Sequence, residues 1–259
     1  MNILQISDIH AARSNVAAFG ERQAGGALRR TVEYLLDAPF RADLLVVTGD
    51  VSHDGSLESY ALVREELGRL SVPALFVPGN HDSRRPMQEA GLLPKDPESE
   101  LRVVDAGEAV LLLADSTVPG RPRGRFLTLQ QRAVLKALRE AEGRPVFLFQ
   151  HHPPFATGYT AMDLPMIGRE LFDEIFSYEN LVFCCGHLHA ALEARIGKAS
   201  AVICPPVFME MEFDLTEEGG KKFYLTEPRF ALHTVESGRV LTHFASVPTG
   251  EKRVGPFSF

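Results

Sequence analysis

The chain has 259 residues, 45% of them hydrophobic and 24% charged, with a formal net charge of -7. That length and balance suit one large α/β domain or two small ones with a sizeable core, and they exclude a disordered chain. The net negative charge disfavours nucleic acid and an acidic membrane surface as partners. No apolar run reaches membrane-spanning length, and no basic stretch followed by an apolar segment opens the sequence. The cysteines, Cys184, Cys185 and Cys204, are three in number. So sparse and odd a set predicts reduced thiols and a cytoplasmic location.

In chain order, residues 2–7 predict a strand that ends in Asp8-Ile9-His10, and 24–38 a helix with Leu28, Val32, Leu35 and Leu36 on one face. Residues 43–50, Asp-Leu-Leu-Val-Val-Thr-Gly-Asp, read as a buried parallel strand stopping at a glycine. Asp50 then stands at the carboxyl edge of a sheet, where ligands collect, and Gly49 omits a side chain where something comes close to the backbone. A helix over 57–70 and a strand over 72–77 follow, the strand ending in Pro78-Gly79-Asn80-His81-Asp82. Strand–helix–strand alternation implies parallel neighbours.

Residues 83–100 are polar and predict a loop with a little helix. Two strands, 101–104 and 109–114, lead into a loop over 116–126 that carries Arg121, Arg123 and Arg125. Thr128 with Gln131 predicts a capping box opening a helix to about residue 141. A strand over 144–150 ends in His151-His152-Pro153-Pro154, a long loop spans 155–167, and a short helix spans 168–178. The strand over 181–185 ends in Gly186-His187-Leu188-His189. Beyond it the chain turns β-rich, with strands over 192–196, 199–204, 222–225, 229–235 and 239–247 and a hairpin turn at Ser237-Gly238. We expect one domain over 1–259, with a metal-ligand core in 1–190 and a β-rich remainder in 191–259 that completes a second sheet.

Five apolar runs thus end on residues able to bind a metal: Asp8 and His10, Asp50, Asn80 and His81, His151, and His187 with His189. Residues two apart at a strand end can point the same way. Asp50 can bridge two cations, and Asn80 offers a neutral oxygen. A donor set of oxygen and imidazole nitrogen without thiolate suits Mn, Fe, Zn or Co. Any one motif could be a polar strand end or a turn; the ordered series is what carries weight.

That series, Asp8-x-His10, Gly49-Asp50, Gly79-Asn80-His81-Asp82, His151 and Gly186-His187-x-His189, resembles the calcineurin-like metallophosphoesterase superfamily over residues 1 to about 190. The resemblance implies a four-layer α/β/β/α sandwich of two mixed sheets, with a dinuclear metal site at the carboxyl edge of the strands. Carried over motif by motif, it assigns Asp8, His10, Asp50 and His189 to one metal and Asp50, Asn80, His151 and His187 to the other. A narrower similarity, to bacterial class III cyclic-nucleotide phosphodiesterases and related glycerophosphodiesterases, rests on three stretches. These are Ala114-Asp115-Ser116 through Gly124-Arg125-Phe126-Leu127, His151-His152-Pro153-Pro154 through Gly158 and Met162-Asp163, and the terminal hairpin 230–247. His53 departs from the pattern, standing where relatives commonly carry an acidic or polar residue.

Two cations about 3.5–4 Å apart can clamp both ends of an in-line displacement, and a bridging hydroxide is the expected nucleophile. Asp50 and Asn80 would hold that assembly, and His81, next to Asn80 and on the exposed side, is the candidate general acid. Asp82 is expected either to orient a neighbouring imidazole or to form the turn. His152 and Arg125 are the candidate substrate contacts, with Phe155, Tyr159 and Met162 on a loop that could cover the substrate. The expected reaction is hydrolysis of a small anionic phosphodiester such as a cyclic nucleotide or glycerophosphodiester. Alternatives are a phosphomonoesterase or protein phosphatase on the same scaffold, or a non-catalytic metal-binding module. The loop 116–126 and the terminal hairpin are candidates for a homodimer contact.

Overall fold

A computed structural model describes residues 1–12, 24–95, 101–216, 220–250 and 252–258. The chain begins with β1 (Asn2–Ile6), α1 (Ala24–Leu36), β2 (Leu44–Thr48), α2 (Leu57–Gly68), β3 (Ala74–Val77) and α3 (Arg84–Glu89). It continues with β4 (Leu101–Asp105), β5 (Val110–Ala114), α4 (Thr128–Glu140), β6 (Val146–Phe149), α5 (Phe172–Ile175) and β7 (Leu181–Cys185). The remainder is all strand: β8 (Leu192–Ile196), β9 (Ala199–Ile203), β10 (Glu210–Met211), β11 (Lys222–Leu225), β12 (Arg229–Glu236), β13 (Arg239–Ser246) and β14 (Val254–Ser258).

Two large mixed sheets stack face to face. The first has the order β13-β12-β1-β2-β3, and the second β4-β5-β6-β7-β9-β8. β1, β2 and β3 run parallel, as do β5, β6, β7 and β9, so their carboxyl ends share an edge within each sheet. Side chains alternate along each strand and sort into three apolar layers. Ile3, Val46 and Val77 meet Leu111, Phe147 and Phe149 between the sheets. On the opposite face of the first sheet, Leu4, Ile6 and Leu45 pack against Leu28 and Val32 of α1, Tyr60 and Val63 of α2 and Met87 of α3. Leu112, Leu148 and Phe183 of the second sheet pack against Val134 and Leu138 of α4 and Ile175 of α5. The result is the α/β/β/α sandwich. Each of these fully buried side chains contributes about 1.5–3 kcal/mol over an exposed one.

A polar seam crosses the interior without loss of hydrogen bonding. Gln5 donates through Nε2 to Thr48 Oγ1 at 2.9 Å and to the Cys185 carbonyl at 3.1 Å, and its Oε1 lies 2.9 Å from His233 Nε2. Thr242 Oγ1 meets the other ring nitrogen of His233 at 2.8 Å. Burial pushes His233 down to about 3, which keeps it neutral. All three cysteines are free and buried.

The β-rich remainder does not form a single second sheet. β8 and β9 close the second sheet, but β12 and β13 join the first, and β10, β11 and β14 form a small third one. The reason lies in β1, whose open edge takes β12 antiparallel, Asn2 opposite Thr234 and Gln5 opposite Ala231. The hairpin turn is at Ser237-Gly238, both left-handed, as a two-residue turn between twisted strands requires. β10 and β14 have no counterpart in the sequence reading because a two-residue strand and a strand interrupted by Gly255-Pro256 lack alternation. The helix expected over 168–178 shrinks to α5. The capping box expected from Thr128 and Gln131 does not form, because the N-cap is Leu127, whose side chain accepts nothing; Gln130 Oε1 accepts the Leu127 N–H at 2.8 Å, while Gln131 Nε2 donates to the Phe126 carbonyl at 2.6 Å. Within 83–100, residues 84–89 are helical and 96–100 lie outside the described residues. Among the described residues no helix is long and apolar enough to cross a membrane.

Candidate metal centre

The two sheets bring their carboxyl edges together, and the five strand ends meet there. β1 delivers Asp8 and His10, β2 delivers Asp50, β3 leads to Asn80 and His81, β6 to His151, and β7 to His187 and His189. Sharp backbone turns aim the side chains inward. Asp8, His10, Asp50, His187 and His189 all have φ between 46° and 71°, the left-handed region that non-glycine residues seldom occupy. Such strain persists only where the surroundings fix it, and here backbone bonds do. Asp8 N–H donates to the Gly49 carbonyl at 3.1 Å, His10 N–H to the Asp50 carbonyl at 2.8 Å, and Gly186 N–H to the His151 carbonyl at 3.0 Å.

Glycines make room for this convergence. A Cβ on Gly49, which has φ +88°, would run into the His151 ring. One on Gly79 would strike Asp50, and one on Gly186 would strike Ser7 Oγ, with Thr48 O and Asp8 Oδ2 within 2.9 Å.

One cluster comprises Asp8, His10, Asp50 and His189, all buried, their donor atoms within 4.8 Å of one another. His189 Nδ1 donates to the Met209 carbonyl at 2.7 Å, which leaves a lone pair on Nε2. That Nε2 lies 3.1 Å from His10 Nε2 and 3.5 Å from Asp8 Oδ1. The second cluster has the same logic. His151 Nδ1 donates to the Thr48 carbonyl at 2.8 Å, and its Nε2 lies 3.1 Å from Asn80 Oδ1 and 3.4 Å from Asp50 Oδ2. His187 adjoins, its ring centroid 5.1 Å from that of His151. Asp50 Oδ2 faces both clusters, since it is also 3.6 Å from His10 Nε2.

Lone pairs pointed at lone pairs call for a cation between them. Donors about 2.1 Å from a shared ion would stand roughly 3.0–3.4 Å apart, close to the separations seen here. The residues therefore fit two metal ions with Asp50 between them. In the metal-free chain a proton serves the same end. Burial disfavours charge on both Asp50 and His151, but their mutual attraction wins: the carboxyl is held well below its usual range and the imidazole is pushed up to about 9. Burial raises Asp8, lowers His10 well below its ordinary value, and, with His151 alongside, lowers His187 to about 3.

His81 is exposed at the rim, its backbone N–H donating to Asp50 Oδ1 at 2.9 Å. Asp82 contacts backbone and a phenol, not an imidazole. It accepts the N–H groups of Val51, Ser52 and Gly79 and the hydroxyl of Tyr60, at 2.8–3.1 Å, and so ties the Asp50 loop to the Asn80 loop. His152 is buried beside His187, its Nδ1 2.8 Å from Ser116 Oγ. A shallow hollow, open to solvent, adjoins His152 and His187; Arg123, Phe155, Met162 and Asp163 line it. Arg125 is not among its lining residues, and Tyr159 is buried in the core instead of covering the site. The carbonyls of Thr48 and Met209 and the hydroxyl of Ser116 were not anticipated. A backbone acceptor leaves no mark on the side-chain pattern; only Gly49 hinted at the close approach of His151.

This fold and this twin donor set define a metallophosphoesterase with a dinuclear centre. Residues 1–191 match the profile of the calcineurin-like phosphoesterases, and the chain belongs to that family. It is 29% identical over 281 residues to the glycerophosphodiester phosphodiesterase GpdQ of Enterobacter lignolyticus, covering 98% of this chain and 99% of that one. It is 31% identical over 208 residues to the 3',5'-cyclic adenosine monophosphate phosphodiesterase CpdA of Pseudomonas aeruginosa, covering 78% of this chain and 75% of that one. Among solved structures, the Thermus thermophilus protein TT1561 aligns with a TM-score of 0.59 over 95% of this chain and 98% of that one, at 17% identity, a likeness of fold.

Proposed function

We propose that the chain hydrolyses a small anionic phosphodiester, a cyclic nucleotide or a glycerophosphodiester, at the centre formed by Asp8, His10, Asp50, Asn80, His151, His187 and His189. The observation that carries the reading is the position of Asp50, whose Oδ2 faces His10 in one cluster and His151 in the other. Two ions of Mn, Fe, Zn or Co held there would acidify water and neutralise phosphoryl charge. The activities named for the two relatives, both phosphodiester hydrolyses, support the same substrate class.

The chain's own residues then have distinct tasks. Asp50 and Asn80 would hold the ions against which the reacting phosphorus lies in line with water. As the P–O bond to the alcohol breaks, the departing oxygen needs a proton, and the exposed His81 supplies it from the rim. Asp82 keeps the loops of Asp50 and Asn80 in register. His152, anchored by Ser116, is the substrate contact on the buried side. Arg123 takes the cationic role in preference to Arg125, because it lines the hollow that would receive the alcohol arm. We read residues 1–259 as one catalytic unit working in the cytoplasm, with a homodimer contact open at the loop 116–126 and the terminal hairpin.

The test is turnover of bis-p-nitrophenyl phosphate, a cyclic-nucleotide panel and glycerophosphodiesters by protein loaded in turn with Mn, Fe, Co and Zn. Diester turnover exceeding monoester turnover supports the proposal. Monoester preference would favour the phosphomonoesterase alternative, and inactivity with all four metals would leave only a binding module.

A further inference from the structure

The Nδ1 atoms of His151 and His189 both donate to backbone carbonyls, Thr48 and Met209, and this directs their Nε2 atoms at the centre. His10 differs. Its Nε2 faces the cluster in the same way, 3.1 Å from His189 Nε2 and 3.6 Å from Asp50 Oδ2. Its Nδ1, however, meets an imidazole: Nδ1 of His53, at 3.4 Å. We propose that His53 is a positioning residue for the centre, accepting the Nδ1–H of His10 and so fixing the ring and tautomer that present His10 Nε2 to a metal.

The argument is one of proton placement. Two neutral imidazoles joined through their Nδ1 atoms share one proton between them. If His53 donates it, the remaining proton of His10 sits on Nε2, and that nitrogen has no lone pair for a metal. If His10 donates it, Nε2 is free to ligate and His53 carries its proton on Nε2. Metal binding by His10 therefore selects the second arrangement, with His53 as acceptor. Metal-bound histidines generally hand their second N–H to a carboxylate, carbonyl or water, and here a histidine ring fills that place.

The position of His53 is suited to this. It follows Val51 and Ser52, whose N–H groups Asp82 holds at 3.1 and 3.0 Å, and its own N–H donates to the Ala11 carbonyl at 3.0 Å. The loop that carries His53 is thus pinned to the segment that carries His10. The ring is half-buried and stacks on His81, centroids 5.5 Å apart and planes 22° apart, while His10 lies 5.6 Å away on the same ring. His53 thus packs against both rings, which themselves lie 4.9 Å apart.

The inference rests on the two-metal reading, and its test separates the two. An Asn side chain places Oδ1 at the same bond separation from Cβ as His Nδ1, so His53→Asn keeps an acceptor and loses the ring. His53→Phe keeps a ring against His81 and loses the acceptor. Metal affinity is measured by chelator competition on folded wild type, His53→Phe and His53→Asn, with circular dichroism and thermal melting to verify the fold. The expected result is loss of affinity for one of two ions by roughly 10–100-fold in His53→Phe, with His53→Asn staying near wild type. Equal affinity in wild type and folded His53→Phe overturns the inference while the two-metal reading stands. Equal loss in both variants also overturns it, since the ring and not the acceptor would then matter. A wild-type chain that binds no metal overturns both.

Discussion

The backbone N–H of His81 donates to Oδ1 of Asp50 at 2.9 Å, so the carboxylate that faces both clusters also fixes the start of the candidate acid. The other oxygen of Asp50 faces His10 and His151. An Asn at position 50 tolerates the left-handed backbone seen there, φ 46°, and still offers one oxygen, but it lacks the charge. Asp50→Asn is expected to fold, to retain fewer than two metals and to lose more than roughly 100-fold in turnover, beyond the usual effect of an outer-shell change. Elemental analysis beside a diester assay checks it; two tightly held ions in the variant would contradict the role given to Asp50.

His81, the proposed acid, belongs to neither cluster of buried donors. His81→Ala should therefore retain both metals and lose about 10²–10⁴-fold in kcat on an alkyl diester. The loss should be much smaller on bis-p-nitrophenyl phosphate, whose leaving group needs little protonation. Equal losses on the two substrates would remove the acid role from His81 and leave the enzyme reading intact.

The protonation states in the metal-free chain set a pH dependence whose sign can be worked out. His187 and His233 are pushed down to about 3, and His10 and His152 also lie below the ordinary 6.5, all chiefly through burial. Their neutral forms belong to the fold, so the stability they contribute is present above about 6.5 and lost as pH falls through the lower folded values. His151 has the opposite sign: pushed up to about 9, it contributes fully below 6.5 and loses that contribution as pH rises through about 9. The melting temperature of metal-stripped protein should fall on both sides of neutrality. Metal uptake at pH 7 should also release a proton from His151, measurable by calorimetry in buffers of different ionisation enthalpy. Buffer-independent heats would contradict the His151–Asp50 ion pair.

Gly186 offers a purely steric test, since its backbone is not left-handed. A methyl there would collide with Ser7 and crowd Thr48 O and Asp8 Oδ2. Gly186→Ala is expected to lower stability by about 1–3 kcal/mol and to weaken metal binding by displacing Asp8. Denaturant melts and chelator competition read the two effects separately, and an unchanged melt with unchanged affinity would show that the close approach is dispensable.

Much of the centre was legible because parallel strands end abruptly, and each apolar run pointed at its own donor. Asp8 through His189 could be ordered that way, and Gly49 signalled the crowding. What stayed hidden has a common cause. The Thr48 and Met209 carbonyls act through backbone, Ser116 through a lone hydroxyl, and His53 through a neighbour distant in sequence. The placement of the C-terminal strands escaped the sequence for a similar reason. Alternation identified β12 and β13 as strands, but only the unfilled edge of β1 determines which sheet receives them.

That pairing has a bearing on biosynthesis. β1 is synthesised well before one of its two neighbours, β12, which is finished only at Glu236. Until translation has passed that point, a nascent β1–β2–β3 array carries an exposed, sticky margin. Contacts so remote along the polypeptide also form slowly. Shortening the gene upstream of β12 would therefore yield insoluble material even with every metal donor encoded.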